Sequence, residues 1–191
     1  MAEKTPEEMR EAVLAIREKM AAAAREAGRG PAEVQLCAAC KTRTAETVAA
    51  SAALSIDVFG ENHVQELCAN FDAGAYCGKP SHFIGHLQTN KIKKVLGRAS
   101  LIQSVDSLRL LNAINAEASR QGIRQEILLE INIANEESKS GFTIEEMDSV
   151  LSQIGEFSSI RVLGFMVIPP ICQDSTDNHK FFQKIYNLSV D

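Results

Sequence analysis

No apolar run in this sequence approaches the ~20 residues that a bilayer-spanning helix needs, so no membrane partner is expected. The first residues, Met1-Ala2-Glu3-Lys4, open an acidic amphipathic segment where a leader would carry basic charge and then an apolar stretch. A signal peptide is therefore not indicated, and a cytoplasmic location is expected. Cysteine is sparse and odd in number: Cys37, Cys40, Cys68, Cys77 and Cys172 lie mostly in apolar segments, which excludes a disulfide framework and suits reduced thiols. Basic charge is also short, 20 Lys and Arg against 25 Asp and Glu, so there is no broad field for nucleic acid or an anionic surface. No second Cys/His pair with zinc-ligand spacing accompanies Cys37-x-x-Cys40, and residues three apart on a strand point to opposite faces, so no metal is expected. Low-complexity linkers and internal repeats are absent. With 191 residues there is no room for a second full domain, and one domain over residues 1–191 is expected.

What the chain does contain is an alternation. Thr5-Pro6-Glu7-Glu8 combines a capping-box pattern with proline at the first helical position, so a helix starts here, and Met9, Val13, Ile16 and Met20 give it one apolar stripe able to pack on a core. Gly28-Arg29-Gly30-Pro31 ends it. Six short apolar runs follow, at residues 34–40, 56–60, 82–85, 101–105, 127–133 and 162–168, separated by helix-compatible stretches at 45–54, 64–71, 91–96, 107–120 and 144–154. A last helix carries Phe181, Phe182, Ile185 and Leu188 on one side. Hydrophobic strands joined by helices predict an α/β protein with a parallel sheet, either a (β/α)8-type barrel or an open doubly wound sheet.

In a parallel barrel the functional groups gather at the C-terminal strand ends, and the polar residues gather there in this chain: Lys41-Thr42, Gly60-Glu61-Asn62, Gly85 to Lys91, Ser104 to Asp106, Asn132 with the loop from Glu136 to Gly141, and Met166 with Pro169. An amine such as Lys41 at a partly dry strand end is a nucleophile toward an aldehyde. Position alone equally suits a solvated lysine opening a loop. Asn62 can cap the following helix, His82 can be a hydrogen-bonded structural histidine, and Met166 can be core packing. Lys91 and Lys139 read as surface lysines that would also attract a phosphorylated ligand. Tyr76 and Tyr186, in a loop and a helix, are poorly placed for acid/base work.

Five segments resemble the YggS/PROSC family, relatives of the alanine racemase N-terminal barrel: Cys40-Lys41-Thr42; Gly60-Glu61-Asn62-His63-Val64-Gln65-Glu66; His82-Phe83-Ile84-Gly85-His86-Leu87-Gln88-Thr89-Asn90-Lys91; Ile131-Asn132-Ile133 through Glu137-Ser138-Lys139-Ser140-Gly141; and Gly164-Phe165-Met166-Val167-Ile168-Pro169. The resemblance implies one TIM-type barrel that holds pyridoxal 5'-phosphate as an aldimine on Lys41, with Asn62, His82, Asn132 and Met166 lining the ring or its pocket and no catalytic residue assigned. It further implies a monomeric, non-catalytic carrier in pyridoxal phosphate homeostasis, serving apo-enzymes that require the cofactor. The alternatives are a pyridoxal-phosphate-dependent, racemase-like enzyme and an inactive barrel.

Two departures qualify that expectation. Cys40 stands where the family usually has a small polar residue, and an oxidisable thiol near the cofactor would follow. The chain also stops at Asp191, after about six βα units, where a closed barrel has eight strands and ~250 residues. A C-terminal truncation is therefore expected, with the family's serine-containing loop and Arg-Gly phosphate-binding segment absent. Weaker, slower cofactor loading and self-association through exposed strand edges would follow.

Overall fold

The computed structural model describes residues 5–171 and 178–190; Met1 to Lys4 and Cys172 lie outside them. Six strands, β1 (Cys37–Ala39), β2 (Val58–Glu61), β3 (Ser81–Phe83), β4 (Leu101–Val105), β5 (Gln125–Ile131) and β6 (Ile160–Val167), stand in chain order in the sheet. The registered pairs β1 with β2, β4 with β5 and β5 with β6 are all parallel. A doubly wound sheet requires the strand order to reverse. Sequential order selects the barrel class, carried here through six strands.

The helices are α1 (Pro6–Glu26), α2 (Ala45–Ser51), α3 (Val64–Asp72), α4 (Ile92–Val95), α5 (Leu108–Gln121), α6 (Met147–Gln153) and α7 (His179–Val190). The chain divides into two compact units, one ending at His82 and the other beginning at Phe83.

In the first unit α1 starts as expected. The Thr5 hydroxyl accepts from the Glu8 amide at 3.2 Å and the Glu8 carboxylate accepts from the Thr5 amide at 2.7 Å, which satisfies two of the donors a helix start leaves open. The apolar stripe needs correction, because Ile16 is 44% exposed. Its place is taken by Arg17, whose guanidinium pairs with Asp57 and donates to the Ser55 carbonyl at 2.7 Å. The residues of α1 that turn inward are Met9, Ala12, Val13, Arg17, Met20, Ala21 and Ala24, so a charged side chain sits in the middle of the packing face and is neutralised there. The core of this unit is Val48, Val58, Phe59 and Leu67.

In the second unit α5 shows why its sequence forms a helix. The Ser107 hydroxyl accepts from the Leu110 amide, Leu110, Leu111, Ile114 and Ala118 recur on the buried side, and Gly122 closes the helix with φ 67°, a conformation that glycine adopts without strain. The apolar run read at residues 127–133 forms strand β5 two residues earlier, at Gln125–Ile131. It alternates: Gln125, Ile127, Leu129 and Ile131 are buried, while Glu126, Leu128 and Glu130 are half-buried. Each buried aliphatic side chain of this row contributes about 1.5–3 kcal/mol relative to exposure.

Gly141 lies at φ +123°, and a Cβ there would stand 2.6 Å from the Asn132 amide nitrogen. The Gly141→Ala variant is expected to lose about 1–3 kcal/mol of stability from backbone strain and the clash together, seen as a lowered midpoint in thermal unfolding.

Candidate functional site

Strand β1 ends at Ala39, and the Cys40 amide donates to the Gly60 carbonyl at 2.8 Å, which sets the ends of β1 and β2 side by side. The Cys40 side chain is buried. Lys41 follows in a turn and is exposed. The dry setting expected for this lysine is therefore not supplied by its own loop. The Lys41 amine makes no hydrogen bond or ion pair among the described residues. Thr42, at φ 64°, continues the turn, the Arg43 amide donates to the Cys40 carbonyl at 3.0 Å, and the Thr42 amide donates to Glu66 Oε1 at 3.1 Å.

The end of β2 is buried throughout, including Glu61. Its Oε1 accepts from Asn70 Nδ2 at 2.7 Å and from the Tyr76 hydroxyl at 2.9 Å. Burial, the main influence, and the neighbouring Glu66 raise the Glu61 carboxyl above its ordinary range against the pull of those two hydrogen bonds and of His63. Tyr76 is in a turn, as expected, but buried, and burial with Glu61 pushes its hydroxyl well up.

Asn62 does not cap α3, because the N-cap residue is His63. Its Oδ1 is shut off from solvent with no hydrogen-bond partner, an arrangement that calls for a donor. His82 is half-buried in β3 between buried Ser81 and Phe83. The thiol expected to be oxidisable at Cys40 is instead pushed up to about 12, by burial first and then by Glu61, which suppresses the reactive thiolate. Cys37 is exposed and Cys40 buried, so the two sulfurs do not present to one site.

In the second unit Asn132 follows β5 and directs its whole amide into its own loop. Its Nδ2 donates to the Glu136 carbonyl at 2.8 Å and to the Lys139 carbonyl at 3.2 Å, and its Oδ1 accepts from the Glu136 amide at 3.0 Å. The Asn132 amide donates to the Phe142 carbonyl, and the Phe142 amide donates to the Glu130 carbonyl. The loop thus closes onto the strand that launched it. Lys139 pairs with Glu136 and donates to the Ile168 carbonyl, so it is an anchored residue. Met166 is half-buried and lies in register with Glu130. In parallel register the two side chains share a face.

A cavity of about 700 Å³ opens among the loops after β3, β4 and β5, with His86, Asn90, Ser107, Arg109 and Ser140 in its wall. His86 Nδ1 lies 3.3 Å from Asp106, and the Ser104 hydroxyl, buried beneath, donates to the Gly85 carbonyl at 2.5 Å. The site residues named from the sequence fall in both units: Lys41, Asn62 and His82 in the first, Asn132 and Met166 in the second. Sequence reading missed the carboxyl cluster of Glu61 and Glu66 with Asn70 and Tyr76. The available signal was an acidic residue closing the apolar strand Val58-Phe59-Gly60-Glu61.

The alanine racemase N-terminal domain matches residues 13–188. A pyridoxal phosphate homeostasis protein of Aquifex aeolicus is 34% identical over 173 residues, 91% of this chain and 76% of that protein. Among solved structures, a protein of Bifidobacterium adolescentis superposes with a TM-score of 0.87 at 33% identity, covering 95% of this chain and 78% of the other. PipY of Synechococcus elongatus, solved with PLP bound, gives 0.74 at 25% identity, covering 90% of this chain and 79% of PipY.

The Asn132→Ala variant removes three hydrogen bonds that hold the 132–141 loop. It is expected to speed amide hydrogen exchange at Glu136, Lys139 and Phe142 and to cost about 1–3 kcal/mol of stability, measured by exchange mass spectrometry and denaturant unfolding.

Proposed function

Because the chain belongs to the pyridoxal phosphate homeostasis protein family, built on the alanine racemase N-terminal domain, we propose that it binds pyridoxal 5'-phosphate through Lys41 as a non-catalytic carrier. The observation that carries this reading is the unengaged amine of Lys41, on the turn fastened to the β2 end, where Asn62 offers a buried acceptor without a donor. Both features fit the group: an amine for its aldehyde carbon, and a carbonyl oxygen for a hydroxyl or protonated ring nitrogen. When bound, pyridoxal phosphate supplies an electrophilic aldehyde carbon and an electron-withdrawing ring.

Around that cofactor Lys41 supplies the covalent attachment and Asn62 accepts a hydrogen bond. In the first unit His82 flanks this site; in the second, Asn132 holds its own loop and Met166 shares a strand face with Glu130. The protein acts in the cytoplasm as a barrel domain that the family expectation makes monomeric, and passes the cofactor to apo-enzymes that require it. A carrier is favoured over a racemase-like enzyme because a racemase needs a second acid/base group on the opposite ring face. Of the two tyrosines, Tyr76 is committed to Glu61, and Tyr186 is 61% exposed on α7.

Incubation with pyridoxal phosphate, borohydride reduction and peptide mapping are expected to place the label on Lys41, and Lys41→Ala is expected to abolish it. A label confined to other lysines overturns the proposal.

A further inference from the structure

We propose that the cavity among the loops after β3, β4 and β5 binds a small organic oxyanion, a phosphate monoester or a hydroxy carboxylate, with Arg109 holding the charged group and His86, Asn90 and Ser140 hydrogen-bonding to the body of the molecule. All of its wall lies in the second unit. The inference goes beyond the carrier reading and does not rest on it, because neither Lys41 nor Asn62 is in that wall.

The three loops are held in place by bonds of their own. The Ser104 hydroxyl, buried in β4, donates to the Gly85 carbonyl at 2.5 Å, which fastens the segment after β3 to β4. His86 is thereby set beside Asp106, with Nδ1 3.3 Å from Oδ2. Asp106 Oδ1 accepts from the Ser107 hydroxyl at 3.0 Å, and the same hydroxyl accepts from the Leu110 amide at 3.3 Å. The loop after β5 contributes Ser140, fixed between two anchored neighbours. The Lys139 carbonyl accepts from Asn132 Nδ2, and Gly141 sits so close to the Asn132 nitrogen that a Cβ would strike it.

The unengaged groups suit an anion. Arg109 is the one side chain of the wall that always carries positive charge, and Arg109, Asn90 and Ser140 make no side-chain hydrogen bond or ion pair among the described residues. An arginine on a convex surface is simply hydrated. Set in a concave wall with its fork of donors open, it matches two oxygens of a carboxylate or phosphate. The His86 ring gives Nδ1 to Asp106, so Nε2 is the ring atom left for a ligand.

The negative charge nearby is offset. Asp106 has both oxygens engaged. Glu130 faces the same pair from β5, and burial first and then Asp106 raise its carboxyl above the ordinary range, against the pull of His86. It therefore holds less charge than an exposed glutamate would. A volume of about 700 Å³ falls within the roughly 300–1,000 Å³ of small-molecule sites and far exceeds a bare ion, so the ligand has an organic body whose hydroxyl groups meet Asn90, Ser140 and His86.

The test uses the full chain without cofactor, titrated with glycerol phosphate and, separately, with glycerate, which carry similar bodies on a phosphate and on a carboxylate. The side-chain NMR signals of His86 and Arg109 are expected to shift saturably with at least one of them. Tighter binding of glycerol phosphate assigns the site to phosphate monoesters, and tighter binding of glycerate assigns it to hydroxy carboxylates. Arg109 is exposed in the first turn of α5, where alanine favours the helix, so Arg109→Ala should fold. It is expected to lose about tenfold or more in affinity, the effect of one charge-assisted pair, and Asn90→Ala is expected to lose severalfold. No saturable shift with either compound, an equal shift with sodium chloride at the same ionic strength, or unchanged affinity in Arg109→Ala overturns the site. Loss of binding in Lys41→Ala also overturns it, by placing the anion at the cofactor turn. Failure of borohydride labelling at Lys41 with these shifts intact sinks the carrier reading alone.

Discussion

A carboxyl group closed off from water at the end of β2 organises the first unit of this protein. Glu61 accepts hydrogen bonds from α3 through Asn70 and from the next turn through Tyr76. The strand end beside it accepts the Cys40 amide of β1 at the Gly60 carbonyl. A polar group in such a place must be satisfied, because an unpaired buried acceptor or donor costs about 1–3 kcal/mol. The requirement acts in both directions. Glu61 needs its donors, and Asn70 and Tyr76, themselves buried, need Glu61.

The second unit reaches the same end by other means. Asn132 uses a neutral amide to saturate three backbone groups of one loop, and Gly141 lets that loop return to the strand where any side chain would strike the Asn132 nitrogen. One unit thus relies on a buried carboxyl and the other on an amide and a missing Cβ. In both, loop residues are held by bonds to rigid strand ends, the condition under which a binding residue keeps its place.

On the proposed carrier reading, the exposure of Lys41 has a physical use. An enzyme that uses a lysine-bound cofactor gains by closing the site against water. A carrier has to take up its cargo and give it away, and an amine that lies open, on a turn tied down by the Thr42 to Glu66 bond, serves that exchange. Cys40, the nearest thiol in sequence, is buried and held in its protonated form, so the aldehyde would meet one reactive nucleophile in this turn.

The local pattern of the sequence was enough to determine the alternation of strands and helices, the capping box at Thr5 to Glu8, the glycine stop of α1 and the row of polar residues at the strand ends. Each of these depends on neighbours a few positions away. Tertiary structure decided what depends on distant partners. It put Arg17 on the inner face of α1, because Asp57 and the Ser55 carbonyl wait there. It removed Asn62 from helix capping and left its oxygen without a donor. It fixed the strand order that separates a barrel from a doubly wound sheet. It also joined Glu61 to Asn70 and Tyr76, nine and fifteen residues onward. Burial and hydrogen-bond partnership are properties of where the chain returns in space, and no window of sequence holds them.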